Sequence, residues 1–321
     1  MTINYTSLLL LVSSIVLSTT SFAQKLPHYS QYMMQQSIIN PAAMGANKFM
    51  TGALLYKNQW TGMKGAPRIV NLDFTMPLTK QNYYNNNGTT SYIGINIVDD
   101  RIGVNVSDVL TASYAFRMQL VNNASLTFGL GAAIGVQKNR YSLIETSDPN
   151  DPMFGWDTPT LIMPNARAGV YYNTPKFYVG FAIPNLFTNY AKQTTGSFKS
   201  ATMYNFRSSH YVLHAGTVLD LADNIKFTPS ILVKAVGGAP IQADLNAQFL
   251  FNRKFGIGAS FRTQKILIGL LNYRINDNIS IGYAMNYDFT LLSKFSKGSH
   301  EILLQFRQSN DKSDWEIEDI R

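Results

Sequence analysis

The sequence predicts an all-β protein of the outer-membrane type, a transmembrane antiparallel β-barrel of about 14 strands. Three observations carry that expectation. Apolar residues recur at period two, and each oily face is opposed by one rich in Gly, Asn, Gln and isolated charges, as for a strand between lipid and a polar lumen. Only 14% of residues are charged while 12% are aromatic, too few charges for a water-bathed surface. Past the first 23 residues, no stretch approaches the length of a transmembrane helix in consecutive apolar residues.

The chain opens MTINYTSLLLLVSSIVLSTTSFAQ. Its apolar run from Leu8 to Leu17 is too short to span a bilayer and ends in small residues, Ser21 and Ala23. Residues 1–23 therefore read as a signal peptide cleaved before Gln24, although no Lys or Arg precedes Lys25; a buried N-terminal strand is the alternative. There is no Cys, which leaves neither a disulfide framework nor a thiol nucleophile. Next comes a segment, residues 24–47, whose stretch QYMMQQSIINPAAMG is uncharged yet too rich in Gln, Asn and Ser to cross a membrane. Its amides can hydrogen-bond inside a polar lumen without the cost of burying a charge, and Asn40-Pro41 and Gly45 supply turns. It is expected to be ordered in the lumen or at the periplasmic rim, against the other reading of a loose leader.

The barrel follows, over residues 48–308. In SLTFGLGAAIGVQ the residues Leu126, Phe128, Leu130, Ala132, Ile134 and Val136 share one face, while Ser125, Thr127, Gly129, Gly131, Ala133, Gly135 and Gln137 share the other. IQADLNAQF sets Ile241, Leu245 and Phe249 against Gln242, Asp244, Asn246 and Gln248. ISIGYAMNYD sets Ile281, Tyr283 and Met285 against Gly282, Ala284 and Asn286. On this basis strands fall near residues 48–60, 66–79, 90–101, 104–121, 124–138, 161–173 and 176–184. Seven more fall near 207–220, 224–236, 239–251, 254–263, 265–275, 278–288 and 299–308.

If the N-terminus is periplasmic, even-numbered connections should be short turns and odd ones are free to be long. The even ones include VNNA, NTPK, DLADN, FNRK and NDN, and the long ones, residues 139–160, 185–206 and 289–298, are odd. KQNYYNNNGTT, a long connection at an even position, departs from the rule. HEILLQFRQ closes the ring with Ile302, Leu304 and Phe306 outward. Residues 309–321 then form an acidic tail, periplasmic by the same topology, with Asp311, Asp314, Glu316, Glu318 and Asp319 against Lys312 and Arg321. Trp315 and Ile317 among those carboxylates suit a basic groove on a periplasmic partner, and a solvated tail is the alternative.

The net charge of +8 is scattered and forms no stripe, so nucleic acid is not an expected partner; a rim facing anionic lipid or a protein is. GLGAAIG resembles a dinucleotide fingerprint, but that needs a strand, a tight turn and a helix, and here the glycines share one face of a continuing strand. His210 and His214 would converge on a metal only on a helix; on a strand they stand ~13 Å apart. No nucleophile, base and orienter come together, so no enzyme activity, cofactor or metal is expected. Asp73, Lys226, Lys234, Asp244, Arg262, Glu301 and Arg307 point inward by alternation, either as an ion-pair lattice bracing the wall or as the lining of a pore or a bound segment. Tyr171, Tyr172, Tyr178 and Trp60 are read as interfacial belt residues or partner contacts.

PHYSQYMMQQSIINPAAMG followed by GALLYKNQWTGMKGAPRIVNLDFTMPL resembles the PorP/SprF family of outer-membrane proteins of the type IX secretion system. The likeness rests on Tyr29, Ser30, Gln31, Tyr32, Asn40, Pro41 and Ala42, then Gln59, Trp60, Gly62, Gly65, Ala66 and Pro67. Ser299, His300, Glu301 and Ile302 are also similar to the family's last strand, and the tail beyond Phe306 is a departure from it. The resemblance implies an outer-membrane barrel of Bacteroidota that works with periplasmic ring and motor proteins and peptidoglycan-linked components. It also implies pairing with a very large secreted adhesin bearing a type B C-terminal signal, used in gliding motility in some species.

The leading functional expectation is thus a non-enzymatic secretion component that docks a substrate's signal domain and links it to the periplasmic assembly. Tyr29, Gln31, Tyr32, Asn40, Pro41, Trp60, Gly62, Gly65 and Pro67, with Trp315, Glu316, Ile317 and Glu318 of the tail, are the candidate partner-binding residues. A passive channel for small solutes is the rival that a barrel alone equally allows.

Overall fold

A computed structural model describes residues 27–78, 89–144, 157, 159–194, 197–204 and 209–308. Strands β1 (Met50–Asn58), β2 (Arg68–Pro77), β3 (Thr89–Ile102), β4 (Asn105–Gln119), β5 (Ser125–Asn139), β6 (Leu161–Asn173) and β7 (Phe177–Ile183) pair in chain order. A hairpin of β8 (Phe187–Thr194) and β9 (Ser197–Tyr204) forms a separate two-stranded sheet within the expected long connection at 185–206. The ring resumes with β10 (His210–Thr217) and its short continuation β11 (Leu219–Ala222), both paired to β12 (Ile225–Val236). It ends with β13 (Gln242–Phe251), β14 (Phe255–Arg262), β15 (Ile266–Arg274), β16 (Ile279–Asp288) and β17 (Ser299–Gln308). Antiparallel pairing of β7 with β10 and of β17 with β1 closes the wall. With β10 and β11 as one wall element, the described residues make a closed barrel of 14 strands, as the alternation predicts.

Alternation sorts the two faces. Leu54, Leu72, Phe74, Ile95, Phe128, Leu130, Leu245, Ile302 and Leu304 lie exposed on the outer face, where lipid would cover them. Between them the strands turn Asn71, Asp73, Asn96, Thr127, Asp244, Asn246, Arg262 and Glu301 inward, all of them buried.

One end of the barrel carries short reversals. In two of them, Asn122 and Asn123, then Asn252 and Arg253, hold φ between 50° and 60°, the left-handed geometry that tight hairpins need and that Asn tolerates best. The other end carries the connections at 59–67, 184–209 and 289–298. These are called the turn end and the loop end. The long connection after β2 and the acidic tail lie outside the described residues, as do most of residues 139–160.

Candidate functional site

The ring is not hollow. Tyr29, Ser30, Gln31, Tyr32, Asn40, Ala42, Ala43 and Met44 are at most 5% exposed, and their partners are inward-facing wall residues. This segment meets Glu301 near the loop end through Ser30 and Gln31, meets Val170 through Asn40, and runs on into β1, whose first residue Met50 is at the turn end. An irregular segment inside a barrel must have its backbone polar groups met by the wall, since it has neither a sheet nor a long helix of its own.

The wall meets them residue by residue. At the loop end the Ser30 amide donates to Glu301 Oε2 at 2.8 Å and the Gln31 amide to Glu301 Oε1 at 2.9 Å. Lys57, paired with Glu301 in the β1–β17 register, lies 3.3 Å from the same carboxylate and donates to the His28 carbonyl. Asn71 donates to the Tyr29 hydroxyl at 3.2 Å, and the Ser30 hydroxyl donates to Asn286 Oδ1 at 3.0 Å. Lower down, the Asp73 carboxylate accepts from Gln35 Nε2 and from the Ser37 hydroxyl at 2.8 Å. Across the lumen, Arg167 Nη2 donates to the carbonyls of Ser37 and Ile38 at 2.9 and 3.0 Å. Tyr171 donates to Gln36 Oε1 at 2.8 Å, and Gln305 Nε2 to the Met34 carbonyl at 2.6 Å.

Asn40-Pro41-Ala42 is the middle clamp. Asn40 caps the 3-10 turn Pro41–Ala46, its Oδ1 accepting from the Ala42 amide at 2.9 Å, and Pro41 sits at the turn's start, where a missing N–H costs nothing. The Asn40 amide nitrogen donates to the Val170 carbonyl at 3.1 Å and lies 3.1 Å from His214 Nε2. The wall is shaped for this contact: a Cβ on Gly129 would strike the Pro41-Ala42 backbone, and one on Gly169 would strike the Asn40 side chain. The GLGAAIG glycines are thus lumen residues of a continuing strand, and Gly129 is small because the segment presses against it.

The second half of the motif builds a brace. Residues 59–67 fold into a compact loop in which Trp60 takes φ 49° and Gly62 and Gly65 take φ 99° and 73°. Gln59 donates its amide to the Pro67 carbonyl at 2.8 Å, and Thr61 exchanges backbone bonds with Gly298 and Lys297 of the β16–β17 connection. The Gly103 amide, in the β3–β4 turn, donates to the Gly65 carbonyl at 2.9 Å. A Cβ at Gly65 would lie 3.2 Å from Gly103 Cα, so this loop joins three neighbouring hairpins at the loop end.

Of the expected partner-binding residues, Tyr29, Gln31, Tyr32, Asn40 and Pro41 are therefore inside the barrel, spent on the wall. Trp60, Gly62, Gly65 and Pro67 are together in the loop-end brace, and Trp315, Glu316, Ile317 and Glu318 lie outside the described residues. Tyr171 and Tyr178 need correction: neither is at a membrane interface. They are 0% and 7% exposed, turned inward and stacked at 5.8 Å beside His214. The lumen charges divide between both expectations. Arg262 and Asp244 form a two-point cross-strand pair at 2.7 and 2.8 Å that braces the wall, while Asp73 and Glu301 hold the segment. Lys57, Arg117 and Arg167 also face inward and were missed, although strand parity places Lys57 with Leu55, and Arg167 with Gly169.

At the loop end, the Ser142 hydroxyl, donating to Asp157 at 2.6 Å, and the Ser142 amide, at 3.1 Å, hold that carboxyl below the usual carboxylate range. Lys138 lies 3.4 Å from it. This ties the connection after β5 to the end of its own strand.

The family model described as "Type IX secretion system membrane protein PorP/SprF" matches residues 21–306. No curated protein matches the chain. Among solved structures, the Acinetobacter baumannii outer membrane protein Omp33 is similar at 10% identity and TM-score 0.47, over 81% of this chain and 98% of its own. The CymD monoaromatic hydrocarbon channel is similar at 12% identity and TM-score 0.44, over 90% and 94%. The KdgM porin is similar at 9% identity and TM-score 0.36, over 81% and 99%. At these scores none of the three bears on what this chain does.

Proposed function

This chain belongs to the PorP/SprF family of type IX secretion system membrane proteins, and from that premise we propose that its filled barrel is a docking station for a secreted adhesin. Its place as an outer-membrane component of that system, crossing the bilayer with its strands, follows from the family and the closed barrel. The finer reading is that the loop end receives a large adhesin carrying a type B C-terminal signal, as in gliding motility. The turn end, periplasmic because short connections face that side in such barrels, meets ring, motor and peptidoglycan-linked proteins. The work is binding and positioning, without bond-making chemistry.

The observation that supports docking over a passive channel is the segment in the lumen. A solute pore needs a continuous wet path, whereas here Ser30, Gln31, Gln36, Ser37 and Asn40 fill the middle with bonds to opposite walls. Two measurements test the reading. Pull-down of the native barrel should recover an adhesin and periplasmic type IX components, and recovery of neither would sink it. Single-channel recording should show little conductance in the intact protein and a larger step once Ser30 to Gly45 is deleted from a barrel that remains heat-modifiable. Steady conductance in the intact protein, unchanged by the deletion, would favour the channel.

A further inference from the structure

The lipid-facing wall does not stop where its strands end. On β14, β15 and β16 the outward residues nearest the loop end are Phe261, Leu267 and Tyr287, side by side in the register and all exposed. Beyond β16, in residues 289–298, come Phe289, Leu291 and Phe295, which are 57%, 75% and 72% exposed. Phe289 stands edge-on to Tyr287 at 5.1 Å. At the other end of the connection, a Cβ on Gly298 would lie 3.7 Å from the side chain of Met285, another outward residue of β16. Both ends of the connection are thus against the lipid face, and the apolar side chains between them extend it. Three exposed lysines accompany them. Lys294 ends the 3-10 turn Leu291–Lys294, Lys297 follows it, and the Lys265 carbonyl accepts the Phe289 amide at 2.9 Å. Asp288, the one carboxylate in residues 286–298, accepts from the Thr290 amide at 2.9 Å.

We propose that the connection at 289–298 is an interfacial anchor. It seats Leu291 and Phe295 at the acyl-chain boundary of the leaflet on the loop side and sets Lys265, Lys294 and Lys297 against the phosphates of anionic lipid headgroups. Large apolar side chains left in water are costly, and grouped ones mark a protein or membrane contact. Continuity with the lipid face selects the membrane, because a protein covering this patch would have to share Tyr287 and Met285 with the bilayer. The composition agrees: apolar side chains at the boundary with lysines beside them suit a surface that is oily below and anionic above. The anchor also acts on the brace. Thr61 exchanges backbone bonds with Gly298 and Lys297, so seating the connection fixes the height of the Trp60 loop over the membrane. This reading holds for whichever leaflet the loop end faces.

The test uses the full-length barrel in nanodiscs of phosphatidylcholine, alone or mixed with phosphatidylglycerol, with folding of each variant checked by heat-modifiable migration. A nitroxide is attached singly to Leu291→Cys, to Phe295→Cys or, as an aqueous reference, to Asp277→Cys in a turn-end reversal, there being no native Cys. The first two labels should collide with dissolved oxygen more than with a water-soluble nickel chelate, and the reference label should do the reverse. In the anionic bilayer, adding Lys294→Gln or Lys297→Gln to Phe295→Cys should each lower the ratio of seated to free label by about fivefold. In phosphatidylcholine alone the same changes should have little effect. Labels at Leu291→Cys and Phe295→Cys that are as open to the chelate as the reference, in both bilayers, would overturn the anchor and leave the patch to a protein partner. Seating that is equal in the two bilayers and indifferent to both lysines would overturn the headgroup contact. The assay needs no secretion component, so its outcome is separate from whether adhesin and ring proteins co-purify.

Discussion

The Ser30 amide donates to Glu301 Oε2 at 2.8 Å, joining positions 271 apart in sequence inside the barrel. The same carboxylate takes the Gln31 amide and pairs with Lys57, so three groups converge on one buried anion. Of the segment's contacts, this one is made by a formal charge on the wall to two successive backbone amides.

Glu301→Gln keeps the shape but turns one acceptor into a donor facing an N–H, and it leaves Lys57 buried without its counter-charge. Loss of a charged hydrogen bond costs about 1.5–3 kcal/mol, and an orphaned buried charge adds to that. The barrel should still form, because the wall bonds of β17 are backbone, but the segment should leave its seat more often. Faster protease cleavage between Ser30 and Asn47, with raised conductance, is the expected result. Cleavage and conductance equal to the unaltered protein would remove the anchoring role.

Gly129→Val tests the fit of wall to segment. The added side chain meets the Pro41-Ala42 backbone, an overpacking that costs about 1–3 kcal/mol where neighbours cannot yield. Val also suits a strand better than Gly does, so the wall itself should not suffer. Gly269→Val is the control, since a Cβ there meets nothing within 4 Å. The first variant should open the lumen and the second should not; equal behaviour in conductance would show that Gly129 is small for another reason.

Much of the wall was legible in the sequence because a barrel strand writes its two environments into alternate residues. Leu126, Phe128 and Leu130 against Thr127, Gly129 and Gly131 needed no partner to be read, and the same parity turned Asp73, Asp244, Arg262 and Glu301 inward. What these inward groups hold was not legible. The segment is irregular, so it has no period, and which wall residue meets Gln36 or Asn40 depends on packing between strands far apart in sequence. The reason for a small residue at Gly129 lies at Pro41. Tyr171 and Tyr178 were left between an interfacial belt and partner contacts; burial rules out the belt, and parity puts Tyr171 on the lumen face of Arg167 and Gly169.

Orientation follows from connection lengths and can be checked on whole cells. Lys64 is exposed in the loop-end brace and Asn123 is exposed in a turn-end reversal, and the chain has no native Cys to interfere. Lys64→Cys should react with an impermeant thiol reagent on intact cells, and Asn123→Cys only after the outer membrane is opened. The reverse pattern would invert the barrel and with it the side assigned to each partner.

The acidic tail, residues 309–321, follows in sequence on Arg307 and Gln308, which lie at the end we propose faces the periplasm. Its five carboxylates against two cations, with Trp315 and Ile317 between them, give it a sign opposite to the net charge of the chain. An aromatic anchor ringed by acids fits a basic groove on a periplasmic protein. Removing Asp311 to Arg321 should leave insertion intact, because Phe306 and the β17–β1 pairing still close the ring. Co-purification with periplasmic type IX components and surface display of a paired adhesin should both fall. If both persist unaltered, the tail has no docking role; if co-purification rises, the tail is a competitor that shields the turn end, and partner access there is regulated by the chain itself.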